Sequence, residues 1–193
     1  MKPAETALLI LAAGASRRLG RPKQQLLFHN QTLLNRIIGT AMALNAGPVV
    51  VVVGEDADRQ LSENMIVVPN PEWTEGMASS IRIGIKTLQT DFPSVETVII
   101  MVCDQPYVST DLLQEMIDHY KENKKPVIAC TYADTIGTPV LFHKEIFPEL
   151  MELRGDKGAR VLINKESHRV GLVNFPQGNI DIDTEEDYER LIK

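Results

Sequence analysis

The chain has few cysteines and no long apolar run. Only Cys103 and Cys130 occur among its 193 residues, and they form no Cys-x-x-Cys pair. This usage argues against a disulfide scaffold and a structural zinc site, and it suits a reducing cytoplasm. No segment approaches the ~20 apolar residues that a membrane-spanning helix needs, and Glu5 precedes the first apolar run, which is atypical of a secretory signal. We therefore expect a soluble, cytoplasmic protein with no membrane partner.

An excess of positive charge is also absent. The formal net charge is −6, which argues against nucleic acid as a partner. The sequence contains no internal repeat, low-complexity tract or linker, and its length is sufficient for one sizeable hydrophobic core. We expect a single domain over residues 1–193.

Short apolar runs alternate with segments of helical periodicity. Runs such as Val49–Val53 are typical of strands that are covered on both faces. The predicted strands are Thr6–Ala12, Val49–Val53, Met65–Val68, Thr97–Val102, Val127–Thr131, Pro139–Phe142 and Gly171–Asn174. The predicted helices are Thr32–Asn45, Ala78–Thr90 and Thr110–Asn123, with a last one opened by a capping-box pattern at Thr184–Asp187. The alternation predicts an α/β three-layer sandwich with a mainly parallel sheet, which binds ligands at the carboxyl ends of its strands.

A loop of small and basic residues follows the first predicted strand directly. From Leu11 to Lys23 it reads Leu-Ala-Ala-Gly-Ala-Ser-Arg-Arg-Leu-Gly-Arg-Pro-Lys. Small residues let backbone N–H groups approach an anion, and the cations neutralise it, so the loop favours a polyphosphate ligand. It is neither a Walker A loop nor a dinucleotide fingerprint, because it lacks Gly-Lys-Ser/Thr and the middle glycine of Gly-x-Gly-x-x-Gly. The alternative is a polar surface loop that happens to be basic.

Two acidic positions are candidate metal ligands. Asp104 follows the strand Thr97–Val102, where a carboxylate can hold a hard cation beside nucleotide phosphates; the alternative is an Asp that caps a turn. Asp181 and Asp183 flank Ile182, so their carboxylates would face one way in an extended segment. Asp183 is the better candidate, although it could instead favour the dipole of the last helix.

Two further loops precede helices. Gly76–Ser80 opens the second helix, where N–H groups and a serine hydroxyl can contact a nucleotide or form an ordinary cap. Gly155–Arg160 could hold a second anion, or could simply be a helix start with an acidic first turn. Trp73 is interpreted as a packing residue and Arg82, with Lys86, as part of a solvated face. The histidines lie outside every motif and are interpreted as surface or packing residues: His29, His119, His143 and His168.

These segments, in this order, resemble the motifs of the molybdenum cofactor nucleotidyltransferases, and most closely those of the cytidylyl branch. The matching segments are Leu11–Lys23, Asn70–Trp73, Gly76–Ser80, Cys103–Pro106, Gly137–Pro139, Gly155–Arg160 and Asp181–Thr184. The resemblance implies a Rossmann-like nucleotidyltransferase fold. It implies nucleotide contacts at Leu11, Ala12, Ala13, Gly14 and Ser80, catalytic roles for Arg18 and Lys23, and Mg²⁺ ligands at Asp104 and Asp183. Gly137, Asp156 and Arg160 would border the cofactor substrate.

The implied reaction transfers CMP from CTP to the terminal phosphate of the molybdenum cofactor. A phosphate monoester has a second pKa of about 6, so it is largely ionised at neutral pH and needs no general base. That chemistry agrees with motifs that contain Arg, Lys and Asp but no His. A molybdenum hydroxylase, such as a xanthine dehydrogenase, is the client enzyme that the resemblance implies.

Four alternatives stay open. The guanylyl branch has Gly where this chain has Ala13, whose methyl group could narrow a pocket that must otherwise admit a purine. The segment Pro22–Gln24 also resembles the cytidylyltransferases of isoprenoid synthesis, which lack the Cys103–Pro106 and Gly155–Arg160 motifs. A non-catalytic carrier of the cofactor would have no need of a metal-holding pair. A nicotinamide-dependent oxidoreductase would need the missing glycine fingerprint.

Overall fold

A twisted sheet with helices on both faces forms the centre of the molecule. The computed structural model describes residues 6–14, 16, 19–54, 65–133, 135–165 and 167–192. The strands are β1 (Thr6–Ala12), β2 (Leu27–Phe28), β3 (Gln31–Thr32), β4 (Val49–Gly54), β5 (Ile66–Asn70), β6 (Thr97–Val102), β7 (Val127–Tyr132), β8 (Thr135–His143) and β9 (Val170–Asn174). The helices are α1 (Leu33–Leu44), α2 (Met77–Asp91), α3 (Thr110–Asn123), α4 (Phe147–Met151), α5 (Arg160–Lys165) and α6 (Glu185–Ile192).

The main sheet has the strand order β5-β4-β1-β6-β8-β7-β9. β5, β4, β1 and β6 run parallel, so their carboxyl ends meet at one edge. β8 is antiparallel to both β6 and β7, and β9 is parallel to β7. β2 and β3 form a separate two-stranded hairpin. Together with the helices, this arrangement confirms the predicted α/β fold with a mainly parallel sheet.

The inner strands are buried on both faces because helices cover each side. On one face, Leu9 and Leu11 of β1 pack in a cluster with residues of α2, α4 and α5. On the other face, Leu8 and Ile10 pack in a cluster with residues of α1 and α3. The period-2 alternation of a strand therefore divides β1 between two cores, as a three-layer sandwich requires. No helix in the described ranges combines the length and the apolar character that would let it cross a membrane.

One strand of the structure is longer than predicted, and two further elements were not predicted at all. β8 begins at Thr135, well before the predicted start at Pro139. Pairing between β7 and β8 shifts in register between Ala129 and Cys130, which leaves Pro139 outside the pairs. An irregularity of this kind accommodates a proline, which has no N–H to donate to a neighbouring strand. The β2–β3 hairpin and the short helix α4 were also absent from the predicted elements.

Gly84 is a position where α2 and β1 approach closely. A Cβ at Gly84 would lie 2.4 Å from Leu9 Cδ1, and Leu9 is fully buried. We expect Gly84→Ala to lower the free energy of unfolding by about 1–3 kcal/mol through overpacking, although alanine is the better helix former. Urea unfolding monitored by circular dichroism measures this change.

Gly39→Ala is the matched control for that variant. Gly39 also lies inside a helix, α1, but no atom lies within 4 Å of a Cβ placed there. The control should raise the free energy of unfolding by about 0.5–1 kcal/mol. A similar gain in stability for both variants would contradict the close packing of α2 on β1.

Candidate active site

A cavity of about 540 Å³ opens at the carboxyl ends of β1, β5 and β6. Loops that leave these three strands form most of its wall, which is where an open parallel sheet binds ligands. We call this space the first cavity. Its lining residues are Leu11, Ala13, Gly14, Ser16, Lys23, Gln24, Trp73, Thr74, Gly76, Met77, Ser80, Val102, Cys103, Asp104, Asp156 and Asp183.

Ser16 and Gln24 form polar contacts within the described parts of the loop after β1. The Ser16 hydroxyl accepts a hydrogen bond from the Lys23 N–H at 3.0 Å. The Gln24 amide donates to the Ala12 carbonyl at 2.5 Å and lies 3.5 Å from the Gly14 carbonyl. Gln24 therefore braces the backbone next to the cavity, a role that sequence reasoning missed although the residue follows Lys23 directly.

Lys23 lies between two carboxylates from distant parts of the chain. Its Nζ donates to Asp104 Oδ2 at 3.0 Å and to Asp183 Oδ1. The Lys23 side chain is only 15% exposed. Burial lowers its pKa, but the neighbouring Asp104 and Asp183 outweigh that effect and the pKa is raised above 10.5. The lysine is therefore a permanent cation in the wall of the cavity.

Asp183 reaches this position because the segment before α6 is anchored on both sides of it. Ile182 is fully buried and packs in a small cluster with Leu19, Leu26, Phe28 and Leu33. After Asp183, the Thr184 hydroxyl accepts from the Asp187 N–H, and Asp187 Oδ2 accepts from the Thr184 N–H at 2.9 Å. This reciprocal pair confirms the predicted capping box. Cluster and cap together fix the Asp183 carboxylate against Lys23.

The Gln105 side chain links the turn at 176–179 to the segment that follows β6 and contains Asp104. Its amide is buried and donates to the Gly178 carbonyl at 3.0 Å. The Cys-Asp-Gln-Pro motif thus combines a carboxylate that faces the cavity with an amide that holds a distant turn. This contact brings the turn at 176–179 close to β6, just before Asp181 and Asp183.

Ser80 lies at the start of α2 and is braced from β5. The buried Asn70 donates from Nδ2 to Ser79 Oγ at 2.8 Å and to Ser80 Oγ at 3.0 Å. Asn70 Oδ1 accepts from the Glu72 N–H at 3.0 Å. The Asn-Pro-Glu-Trp motif therefore orients the Ser80 hydroxyl at the cavity. Trp73 both packs against the core and lines the cavity.

Arg82 does not belong to a solvated face, which corrects the sequence interpretation. Its side chain is 17% exposed and forms a paired ionic contact with Glu75, with Nη1 2.8 Å from Oε1. Nη1 also donates to the Leu153 carbonyl at 2.8 Å. The spacing of Arg82 and Lys86 by one helical turn indicated an exposed face. It could not reveal the contacts of Arg82 with Glu75 and Leu153, because these form only in the folded chain. Lys86, one turn further along, is exposed as expected.

A second cavity of about 520 Å³ adjoins the first. Asp104, Met77 and Val102 line both cavities. Of the predicted site residues, Gly137 and Arg160 line the second cavity and not the first. Tyr132, Gln105 and Asp181 also line the second cavity. Burial, with a smaller effect of Asp183 and Asp104, raises the pKa of Asp181. Asp104 therefore stands between two spaces, each large enough for a small-molecule substrate.

The structure separates some predicted site residues that the sequence analysis grouped together. Asp156 lines the first cavity, whereas Gly137 and Arg160, with which the resemblance grouped it, line the second, because Gly155 is held against the start of α2. The Ala12 side chain packs in the core and its carbonyl is bonded to Gln24, so Ala12 lies behind the cavity. Asp181 and Asp183 do not share a surface: Asp181 lines the second cavity and Asp183 the first. Arg18 lies outside the described residues.

Among the described residues, neither cavity is lined by an imidazole or by an ionised thiol. No histidine of the described chain is among the lining residues of either cavity. Burial, with a smaller contribution from Asp104, raises the pKa of Cys103 to about 12, so this thiol is neutral at neutral pH. The site therefore suits chemistry that needs positioned charge more than proton abstraction.

The carboxylates of Asp104 and Asp183 fit a divalent metal. Both already converge on one positive charge, the Lys23 ammonium. In the described part of the chain, no three His, Cys, Asp or Glu side chains are grouped closely enough to hold a metal alone. Mg²⁺ is usually bound by one or two carboxylates together with substrate phosphates, so two carboxylates at the edge of a cavity match its requirements.

Comparison with known proteins identifies the family model that matches this chain. The MobA-like NTP transferase domain matches residues 8–170. This range includes most of β1, the loop that follows it, Asp104 and the segment Gly155–Arg160.

Curated relatives of the chain have several functions. The nicotine blue oxidoreductase of Paenarthrobacter nicotinovorans is 28% identical over 95% of both chains. The purine catabolism protein PucB of Bacillus subtilis is 25% identical over 95% of this chain and 94% of its own. A molybdenum cofactor guanylyltransferase of Vibrio campbellii is 22% identical over 97% of this chain and 95% of its own.

Solved structures of one mycobacterial protein resemble this fold throughout. Rv0371c of Mycobacterium tuberculosis has a TM-score of 0.83 and is 29% identical over 100% of this chain and 99% of its own. Its complex with manganese has a TM-score of 0.80 and 27% identity, and the match covers 98% of each chain.

The Glu75–Arg82 contact makes a prediction about acid stability. The Arg82 hydrogen bonds, followed by the Gly155 N–H, lower the pKa of Glu75 from 4.5 to about 2. Because the folded-state pKa is lowered, the stabilisation is fully present above pH 4.5 and is lost as the pH falls toward 2. We expect Glu75→Gln to reduce stability most at neutral pH and progressively less below pH 4.5.

Urea unfolding midpoints of wild type and Glu75→Gln between pH 7 and pH 3 provide the measurement, since that range begins where the glutamate is ionised in both states. A difference in midpoint that stays constant across this range would contradict the lowered pKa of Glu75.

Proposed function

Because the chain belongs to the MobA-like NTP transferase family, we propose that it transfers CMP from CTP to the terminal phosphate of the molybdenum cofactor, with release of pyrophosphate. The observation that carries the proposal is the convergence of Lys23, Asp104 and Asp183 beside two adjoining cavities. A transferase with two substrates needs two spaces and a charged group where they meet. The first cavity would take the nucleotide and the second the cofactor.

The residues of this site suit an attack by phosphate. A phosphate monoester is largely ionised at neutral pH because its second pKa is about 6, so the nucleophile needs alignment and charge neutralisation rather than a base. Lys23 would stabilise the charge that develops at the α-phosphate, and Arg18 would hold the β- and γ-phosphate oxygens. Leu11, Ala13, Gly14 and Ser80 would contact the nucleotide.

Asp104 and Asp183 would hold the divalent metal, which we propose to be Mg²⁺. When bound, the metal supplies neutralisation of phosphate charge between the two substrates. The manganese complex of the mycobacterial relative supports a divalent cation in this fold. Lys23 already bridges the two carboxylates and keeps them together.

Ala13 supports cytosine as the base. It lines the first cavity at the end of β1, where the guanylyl branch has a glycine. Its methyl group narrows the space for a base, and discrimination by a single methyl group is worth about 1–3 kcal/mol. The named guanylyltransferase relative makes GTP the alternative nucleotide. Gly137 and Arg160 would contact the cofactor substrate in the second cavity.

Oxidoreductase activity is the second candidate function. It is favoured by the similarity to the nicotine blue oxidoreductase, which extends over 95% of both chains. Lys23, Asp104 and Asp183 speak against it, because hydride transfer does not require two carboxylates that share a cation. Oxidation of NADH or NADPH with a dye acceptor, in the absence of nucleoside triphosphate, distinguishes the two candidates.

Pyrophosphate release tests the proposed reaction directly. The protein is incubated with Mg²⁺, purified molybdenum cofactor and each of the four nucleoside triphosphates in turn. We expect release with CTP, because Ala13 restricts the nucleotide cavity. Pyrophosphate release with GTP alone would indicate a guanylyltransferase instead. If no nucleotide gives release while the cofactor still binds, the result would favour the carrier function.

Replacement of the charged residues tests the assignment of the site. We expect Lys23→Ala and Asp104→Ala each to reduce turnover by about 10²-fold or more, because charge stabilisation of a transferring phosphate is lost. Thermal stability should change little in Asp104→Ala, where Lys23 keeps Asp183 as a partner, but should fall in Lys23→Ala, which leaves two neighbouring carboxylates without their shared cation. Lys86→Ala removes an exposed lysine from α2 and should leave turnover unchanged. Near-normal turnover in either site variant would contradict the assignment.

A further inference from the structure

We propose that the ion pair between Glu75 and Arg82 is a positioning device that makes the two cavities respond to each other. It holds the segment 153–160 against the start of α2, so that a nucleotide in the first cavity fixes part of the wall of the second. The inference rests on the proposed two-substrate function. It assigns a role to two residues that are not among the lining residues of either cavity.

The contacts join three pieces of chain. Arg82 lies in α2, and Glu75 lies in the turn before that helix. Glu75 Oε1 accepts from Arg82 Nη1 at 2.8 Å and from the Gly155 N–H at 3.0 Å. Arg82 Nη1 also donates to the Leu153 carbonyl at 2.8 Å. The pair therefore binds the backbone on both sides of Arg154.

A backbone hydrogen bond also links the start of α2 to Gly155. The Ala78 N–H, one of the unpaired donors in the first turn of α2, donates to the Gly155 carbonyl at 3.1 Å. Gly155 thus uses both its N–H and its carbonyl to dock on the start of α2. Loss of Arg82 removes its bond to the Leu153 carbonyl and the group that holds Glu75 in place, so that Gly155 keeps only its bonds to the Ala78 N–H and to a Glu75 carboxylate that is no longer fixed.

The docked segment contributes to both cavities within five residues. Asp156 lines the first cavity, whereas Gly158, Ala159 and Arg160 line the second. The fit against α2 is close: a Cβ on Gly76 would lie 2.4 Å from Asp156 Oδ1, and one on Gly158 would lie 2.7 Å from Met77 Sδ. A shift of this segment would therefore move Asp156 and the wall of the second cavity together.

The pair differs from the ordinary surface ion pairs of this chain. Arg82 is 17% exposed and Glu75 31% exposed, whereas Lys121 and Asp118 are 62% and 51% exposed. Two parallel N–H donors to one carboxylate give it a fixed geometry that single contacts lack. The lowered pKa of Glu75 keeps the carboxylate ionised throughout the physiological range. These properties suit a permanent tether.

Hydrogen–deuterium exchange with and without CTP and Mg²⁺ tests this role. In the wild type, CTP should slow amide exchange in residues 153–163, including the part that faces only the second cavity. In Arg82→Gln, CTP should bind with a dissociation constant within about threefold of wild type, but the slowing at 158–163 should fall by at least about half, because the coupling and not the nucleotide site is lost.

Kinetics provide a readout that a purely structural role would not move. For Arg82→Gln we expect the KM for the molybdenum cofactor to rise about tenfold while kcat falls less than about threefold, because the displaced segment supplies three lining residues to the second cavity and only Asp156 to the first. Arg82→Lys keeps the charge but not the paired geometry and should give an intermediate KM. It also replaces Arg82→Gln as the test if that variant fails to fold.

Arg169→Gln is the matched control. Arg169 forms ion pairs with Glu145 and Glu149, is 28% exposed and lines neither cavity. It should change neither the CTP-dependent exchange nor the KM for the cofactor. Unchanged exchange and KM in Arg82→Gln would overturn the coupling and leave the proposed function intact. Failure of the wild type to bind CTP or GTP would overturn the proposed function, and the coupling with it.

Discussion

One ammonium group joins the beginning, the middle and the end of this chain. The Lys23 Nζ contacts Asp104 and Asp183, which lie 81 and 160 residues away in sequence. Each carboxylate is delivered by a rigid part of the fold: Asp104 by the carboxyl end of β6, and Asp183 by the buried Ile182. Two carboxylates this close would repel each other without a cation between them. The position of the candidate active site thus depends on a charge balance as well as on the topology of the sheet.

The parts of the site that lie at strand ends could be predicted from the sequence. Apolar runs marked β1 and β6, and in a parallel sheet their carboxyl ends share one edge, so the basic loop and Asp104 had to be neighbours. The contacts of Arg82 and Gln24 could not be predicted in this way. They depend on side-chain approaches to Leu153 and Ala12 that no local periodicity encodes. The first half of the antiparallel strand β8 was not predicted, because Pro139 interrupts the strand pattern.

Side-chain amides around the two cavities hold site residues in place although these residues lie in loops. Asn70 orients Ser80, Gln24 supports the loop after β1, and Gln105 fixes the turn before Asp181. None of these amides needs to touch a substrate to matter, because a catalytic group that acts through charge must be fixed in place before the reaction. The similarity to proteins with different named activities agrees with a fold whose function is decided by such site residues.

The central claim is that this chain transfers a nucleotidyl group. CTP labelled with ³²P at either the α- or the γ-phosphate, together with Mg²⁺ and molybdenum cofactor, tests it most directly. We expect the α label to enter a product that contains the cofactor and the γ label to leave in pyrophosphate. Transfer of the γ label to the cofactor, or no transfer of the α label from any nucleoside triphosphate, would contradict the account.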